Sequence, residues 1–132
     1  MYINKMTRFL KYIFYISLIF LIIISIYPGS LFGYLLYGDI GYQPVLIKNP
    51  YEASINHFIY YFYLAFLGLF IYYKTNKRNK LIKSLFFLAA ILEFVHLVIP
   101  HRSFEISDLA ANIFGVLFAC LVIKIYLSFK RL

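Results

Sequence analysis

Four runs of apolar residues divide the chain, and charged or Pro/Gly-rich stretches separate them: Phe9 to Tyr27, Ile55 to Tyr73, Ile82 to Ile99, and Ser107 to Leu127. Each run is about 18 to 21 residues long, enough at about 1.5 Å per residue to cross a hydrocarbon layer of about 30 Å. The pattern predicts an all-α, polytopic membrane protein with four transmembrane helices. The only long connection, Pro28 to Ser54, holds three of the four prolines together with Gly29, Gly33, Gly38 and Gly41. It also carries Tyr34, Tyr37, Tyr42 and Tyr51, so it is expected to lie along a membrane interface rather than to act as a free linker. No internal repeat or low-complexity tract interrupts this organisation.

Composition supports the same reading. Hydrophobic residues make up 64% of the 132 positions and the mean hydropathy is +0.82, more apolar surface than a water-soluble domain of this size buries. A single domain spanning residues 1–132 is expected at this length. Lys5, Arg8 and Lys11 precede an apolar run reaching Ile26, longer than a signal-peptide core and with no small-x-small cleavage site after it. The first run therefore reads as a retained helix.

The formal charge of +8 invites a nucleic-acid reading, but the placement of the 13 basic residues argues against one. Lys5, Arg8 and Lys11 flank the first run, and Lys74, Lys77, Arg78, Lys80 and Lys83 separate the second from the third. Lys124, Lys130 and Arg131 close the fourth, which leaves only Lys48 and Arg102 for the other side. Such asymmetry is the positive-inside pattern, and with four spans it places both termini in the cytoplasm of a multi-pass cell-membrane protein with no nucleic-acid partner. The basic loop is expected to touch anionic lipid, and Lys11 and Lys124 to snorkel to the inner interface.

All five acidic residues, Asp39, Glu52, Glu93, Glu105 and Asp108, map to the outer loops or the outer halves of helices. A carboxylate inside a span costs roughly 2.5 to 3.5 kcal/mol on insertion scales, so Glu93, seven residues before Pro100, needs a partner or a purpose. Helical spacing gathers candidates around it. Glu93 and His96 are i, i+3; Asp108 and Asn112 are i, i+4; His57 and Tyr61 are i, i+4. The turn from Pro100 to Ser107 brings Arg102 to their mouth, and Ser107 or Asp108 can cap the last helix, whose N-terminus favours an anion. Ala111, Gly115 and Ala119 form a small-xxx-small stripe that lets a neighbouring helix approach closely.

The positions Glu93, His96, Pro100, Arg102, Asp108, Asn112 and Gly115 resemble the signature of the VanZ-like membrane proteins, in which Glu, Gln, Pro, Arg, Asp, Asn and Gly recur at this spacing. The segment Asn56-His57-Phe58-Ile59-Tyr60-Tyr61 is similar to that family's Asp-Lys-x-x-His-Phe-x-x-Tyr element. His96 stands where the family has Gln, Ala53 and Ser54 replace its Asp-Lys, and Ala119 takes the place of a frequent second glycine. The resemblance implies a small four-helix protein of the cell envelope and no defined activity.

Two function classes follow from these residues. In one, Arg102, His96, Asn112 and Tyr61 line an outer-leaflet pocket that binds the head group of a membrane lipid or lipid-linked glycan. In the other, Glu93, His57 or Asp108 supplies general acid/base catalysis on a lipid-linked substrate. A channel would require a homo-oligomer, because four short helices do not line a path alone. Ser103 and Ser107 lack a nucleophile-elbow context, which argues against a serine hydrolase. The Glu93-x-x-His96 spacing also occurs in metal-binding bundles, but no second Glu-x-x-His exists, so neither a metal nor a cofactor is expected. Cys120 has no partner for a disulfide and reads as a packing residue. The structural alternatives are a cap and salt bridge for Asp108 and Arg102, helix packing for Asn112 and Gly115, and an interfacial bond for His57.

Overall fold

The computed structural model describes residues 2–44 and 54–129. They form five helices: α1 (Tyr2–Ile26), α2 (Leu31–Tyr37), α3 (Ser54–Tyr72), α4 (Arg78–Val95) and α5 (Ile106–Phe129). No strand occurs among the described residues, in keeping with the all-α expectation. Lys48, Tyr51, Glu52, Ala53, Lys130 and Arg131 lie outside them.

Three helices, not the expected four, are long and apolar enough to cross a membrane: Lys5–Ile26 within α1, Ser54–Tyr72 and Ile106–Phe129. The expected span from Ile82 to Ile99 divides in two. Its helix begins earlier, at Arg78, and so adds Arg78 and Lys80 to the Lys83 and Glu93 already within the run, which lowers its hydropathy. Its C-terminal part leaves the helix after Val95 and runs through turns to Ile106.

The long connection after α1 contains structure that periodicity does not reveal, because seven residues are too few to show a helical repeat. Ser30 caps α2, its hydroxyl accepting the Gly33 N–H at 2.9 Å, and Gly38 ends it in a left-handed conformation (φ 69°) that glycine adopts without strain. Tyr34, Leu35, Leu36 and Tyr37 all remain exposed. The Gly29 N–H donates to the Pro100 carbonyl at 3.2 Å, which ties the end of α1 to the turn between α4 and α5.

The most extensive helix contact is between α3 and α5. Gly115 explains it: a Cβ there would stand 2.6 Å from the Phe58 carbonyl oxygen and 2.9 Å from the Phe62 nitrogen, so the α3 backbone lies directly against α5. Gly115 and Ala119 of the expected small-residue stripe are buried at this seam. Leu64, Ala65 and Leu69 of α3, Val116 and Ile123 of α5, Leu85, Ala89 and Leu92 of α4, and Phe14 and Leu21 of α1 complete the core. Facing outward, Phe9, Tyr12, Ile16, Ile19 and Ile23 repeat every three or four residues along α1. Phe114, Leu117, Phe118, Leu121 and Ile125 are likewise exposed along α5. Apart from Ser30 at the start of α2, the buried polar side chains, Glu93, His96, Asp108 and Asn112, gather where α3, α4 and α5 meet near the Pro100 turn.

Candidate functional site

Asp108 lies in the first turn of α5 but does not cap it; the Asp108 and Leu109 N–H groups both donate to the Glu105 carbonyl, each at 3.1 Å. The Asp108 carboxylate instead reaches across to α3. Its Oδ1 accepts from the Ser54 hydroxyl at 3.0 Å, and its Oδ2 lies 3.3 Å from His57 Nε2. The other ring nitrogen of His57, Nδ1, lies 3.1 Å from Asn112 Oδ1, one turn further along α5. Both nitrogens of His57 are thus positioned by α5, and the close seam at Gly115 makes that reach feasible. The His57 side chain retains 23% of its exposure, against 9% for Asp108.

Glu93 occupies the same junction from α4 and is 1% exposed. Its Oε1 accepts the Glu105 N–H at 3.1 Å, across the turn that leads into α5, and lies 3.3 Å from His96 Nδ1. The second His96 nitrogen, Nε2, lies 3.1 Å from the Ser25 carbonyl near the end of α1. Through these two contacts His96 joins α4 to α1.

The two networks meet. One ligating atom each from His57, Glu93 and Asp108 falls within a 4.8 Å group, drawn from three different helices. Tyr61, one turn along α3 from His57, is buried, interacts electrostatically with Glu93, and has a hydroxyl with no hydrogen-bond partner. Arg102 lies within the fields of Glu93 and Asp108. Its guanidinium, however, points at the end of α1: Nη2 donates to the Ile24 carbonyl at 2.6 Å and Nε to the Tyr27 carbonyl at 3.4 Å. Arg102 therefore caps carbonyls that the helix leaves free.

All seven residues singled out from the sequence lie around this junction. The sequence reading missed Ser54, although it sits i, i+3 before His57 and i, i+7 before Tyr61 on the same face of α3. It also missed the Ser25 carbonyl and the Glu105 N–H, which are backbone groups that residue type does not announce. A groove of about 440 Å³ runs between α1 and α4 at the lysine-rich end, lined by Phe14, Leu18, Leu81, Leu85, Lys77 and Lys80 among others.

No family model, no curated protein and no solved structure matches this chain. What the junction does must therefore be argued from its own chemistry.

Proposed function

We propose that the chain is a VanZ-like integral membrane protein of the cell envelope, in which the junction of α3, α4 and α5 forms the polar floor of a site for the head group of a lipid or lipid-linked glycan. The exposed apolar stripes of α1 and α5 favour lipid as their surroundings, since monomeric soluble proteins rarely leave contiguous apolar patches larger than a few hundred Å². In this reading α4 and the segment after it complete a fourth crossing. Its charged N-terminal turn lies at the cytoplasmic interface; in its outer half Leu92, Glu93 and His96 face the other helices while Ile91, Phe94, Leu97 and Val98 offer an apolar face to lipid.

The observation that carries the head-group reading is His57. It is a partly exposed member of a largely buried polar cluster, held in one orientation by Asp108 and Asn112. At this exposed edge the ring reaches a phosphate by exchanging its contact with Asp108 or Asn112 for one to a phosphate oxygen. The same His57–Asp108 pair favours a second reading, general acid/base chemistry on a lipid-linked substrate.

Mass spectrometry of lipids that co-purify with the protein in mild detergent tests both readings. Binding predicts a head-group species enriched with the wild type and lost with His57→Ala at unchanged helix content. Catalysis predicts that Glu93→Gln retains an unconverted species that the wild type does not hold. Identical lipid profiles for all three proteins sink both readings.

A further inference from the structure

We propose that His57, Glu93 and Asp108 together bind a divalent first-row transition metal ion, with zinc the ion best suited to one imidazole and two carboxylates. The proposal goes beyond the head-group reading: it uses the same junction but a different ligand, and it stands without any lipid.

Geometry is the first argument. A tetrahedral ion with bonds of about 2.0 to 2.1 Å sets its donors about 3.3 to 3.4 Å apart. His57 Nε2 and Asp108 Oδ2 already stand at 3.3 Å. The Glu93 donor falls within the same 4.8 Å group, so closing on an ion needs only small side-chain adjustments.

The surrounding hydrogen bonds are the second argument. Metal-bound histidines donate their remaining N–H to an acceptor, and metal-bound carboxylates are themselves hydrogen-bonded. Here His57 Nδ1 faces Asn112 Oδ1, Asp108 Oδ1 accepts from Ser54, and Glu93 Oε1 accepts from the Glu105 N–H. His57 and Asp108 are thus each held by one atom and leave the other for the shared point, and Glu93 is anchored at Oε1. A simple ion pair explains His57 with Asp108 but not why a second carboxylate is brought up to them. Two anions and a neutral imidazole balance a divalent cation, which relieves the cost of burying like charges together.

Tyr61 is the third and independent observation. Its hydroxyl is buried beside Glu93 without a partner, although such a group normally finds one. A water in the fourth position of the ion supplies that partner. His57, the more exposed of the three ligands, marks the entry route from the outer side.

The test uses the full chain in lipid-free detergent, stripped with a chelator, then loaded with zinc or with cobalt(II) as a spectroscopic probe. After gel filtration, elemental analysis should find one zinc per chain, and cobalt should give the intense visible bands of a four-coordinate site. His57→Ala and Asp108→Asn should abolish those bands, while Asn112→Ala should weaken affinity by roughly 10- to 100-fold. Asp39→Asn, away from the junction, should change nothing. Circular dichroism separates loss of the ion from loss of the fold. A folded wild type that takes up no stoichiometric metal overturns the proposal without recourse to any variant, and so do cobalt bands that survive His57→Ala. Zinc binding without an enriched lipid would uphold the ion and sink the head-group reading; an enriched lipid without zinc would do the reverse.

Discussion

Glu93 carries the largest electrostatic liability of any single residue described, since a carboxylate at 1% exposure has lost its water and depends on its partners. Glu93→Ala should leave His96 and the Glu105 N–H without an acceptor and destabilise the protein by roughly 3 to 5 kcal/mol. Glu93→Gln keeps an acceptor of the same shape and should cost less, about 1 to 3 kcal/mol. Thermal unfolding in detergent ranks the two; equal losses would contradict the role given to the acceptor. Tyr61→Phe should behave oppositely in metal-free protein. Its hydroxyl bonds to nothing, so removing it should leave the melting temperature unchanged or raise it. At this scale much was legible beforehand, because Glu93 and His96, Asp108 and Asn112, and His57 and Tyr61 announce their shared faces by helical spacing alone. Spacing does not reveal direction. Arg102 turns toward the Ile24 and Tyr27 carbonyls, and nothing in the residues near position 102 encodes that choice, because the acceptors lie on the backbone of a helix more than 70 positions earlier.

At the level of helices, the α3–α5 seam controls whether the polar junction exists at all. A Cβ at Gly115 meets backbone, the Phe58 carbonyl and the Phe62 nitrogen, whereas one at Gly68 meets the ring of Phe14 at 2.7 Å. Backbone of a packed helix yields less readily than a ring edge. Gly115→Ala should therefore cost about 1 to 3 kcal/mol and lengthen the His57–Asn112 and His57–Asp108 contacts, with Gly68→Ala milder. Melting temperatures compare the two, and cobalt affinity, should the ion bind, reports the lengthening directly. Equal destabilisation by both would show that the seam is more compliant than its geometry implies. The small residues at 115 and 119 made this approach readable from sequence, as did the apolar lengths of α1, α3 and α5. An apolar run alone does not locate α4, because hydropathy marks neither where the helix starts nor where it ends. The helix starts inside the basic stretch at Arg78, and its end at Val95 is set by the turn that Glu93 and the Glu105 N–H hold together.

Over the whole molecule, the lysine-rich loop and the buried carboxylates lie at opposite ends, and in the proposed membrane orientation that separation sets which side the junction faces. Lys74, Lys77, Arg78, Lys80 and Lys83 gather between α3 and α4, while Glu93, Asp108 and Arg102 gather at the other end of α4 and α5. Moving the basic cluster across a bilayer is far costlier than moving the turn at Pro100, so the proposed orientation keeps the lysine-rich loop in the cytoplasm. Single cysteines in a Cys120→Ser background measure this directly. Ser103 and Asn76 are both exposed, so neither substitution disturbs packing, and the two positions lie at opposite ends of α4. Ser103→Cys should react with a membrane-impermeant thiol reagent in intact cells, and Asn76→Cys only after the membrane is opened. The same pair tests the number of crossings. If α4 and the segment after it fail to span, positions 76 and 103 lie on one side and label alike. The inverted pattern would instead place the His57 junction toward the cytoplasm, where the lipid-linked glycans of an outer leaflet could not reach it.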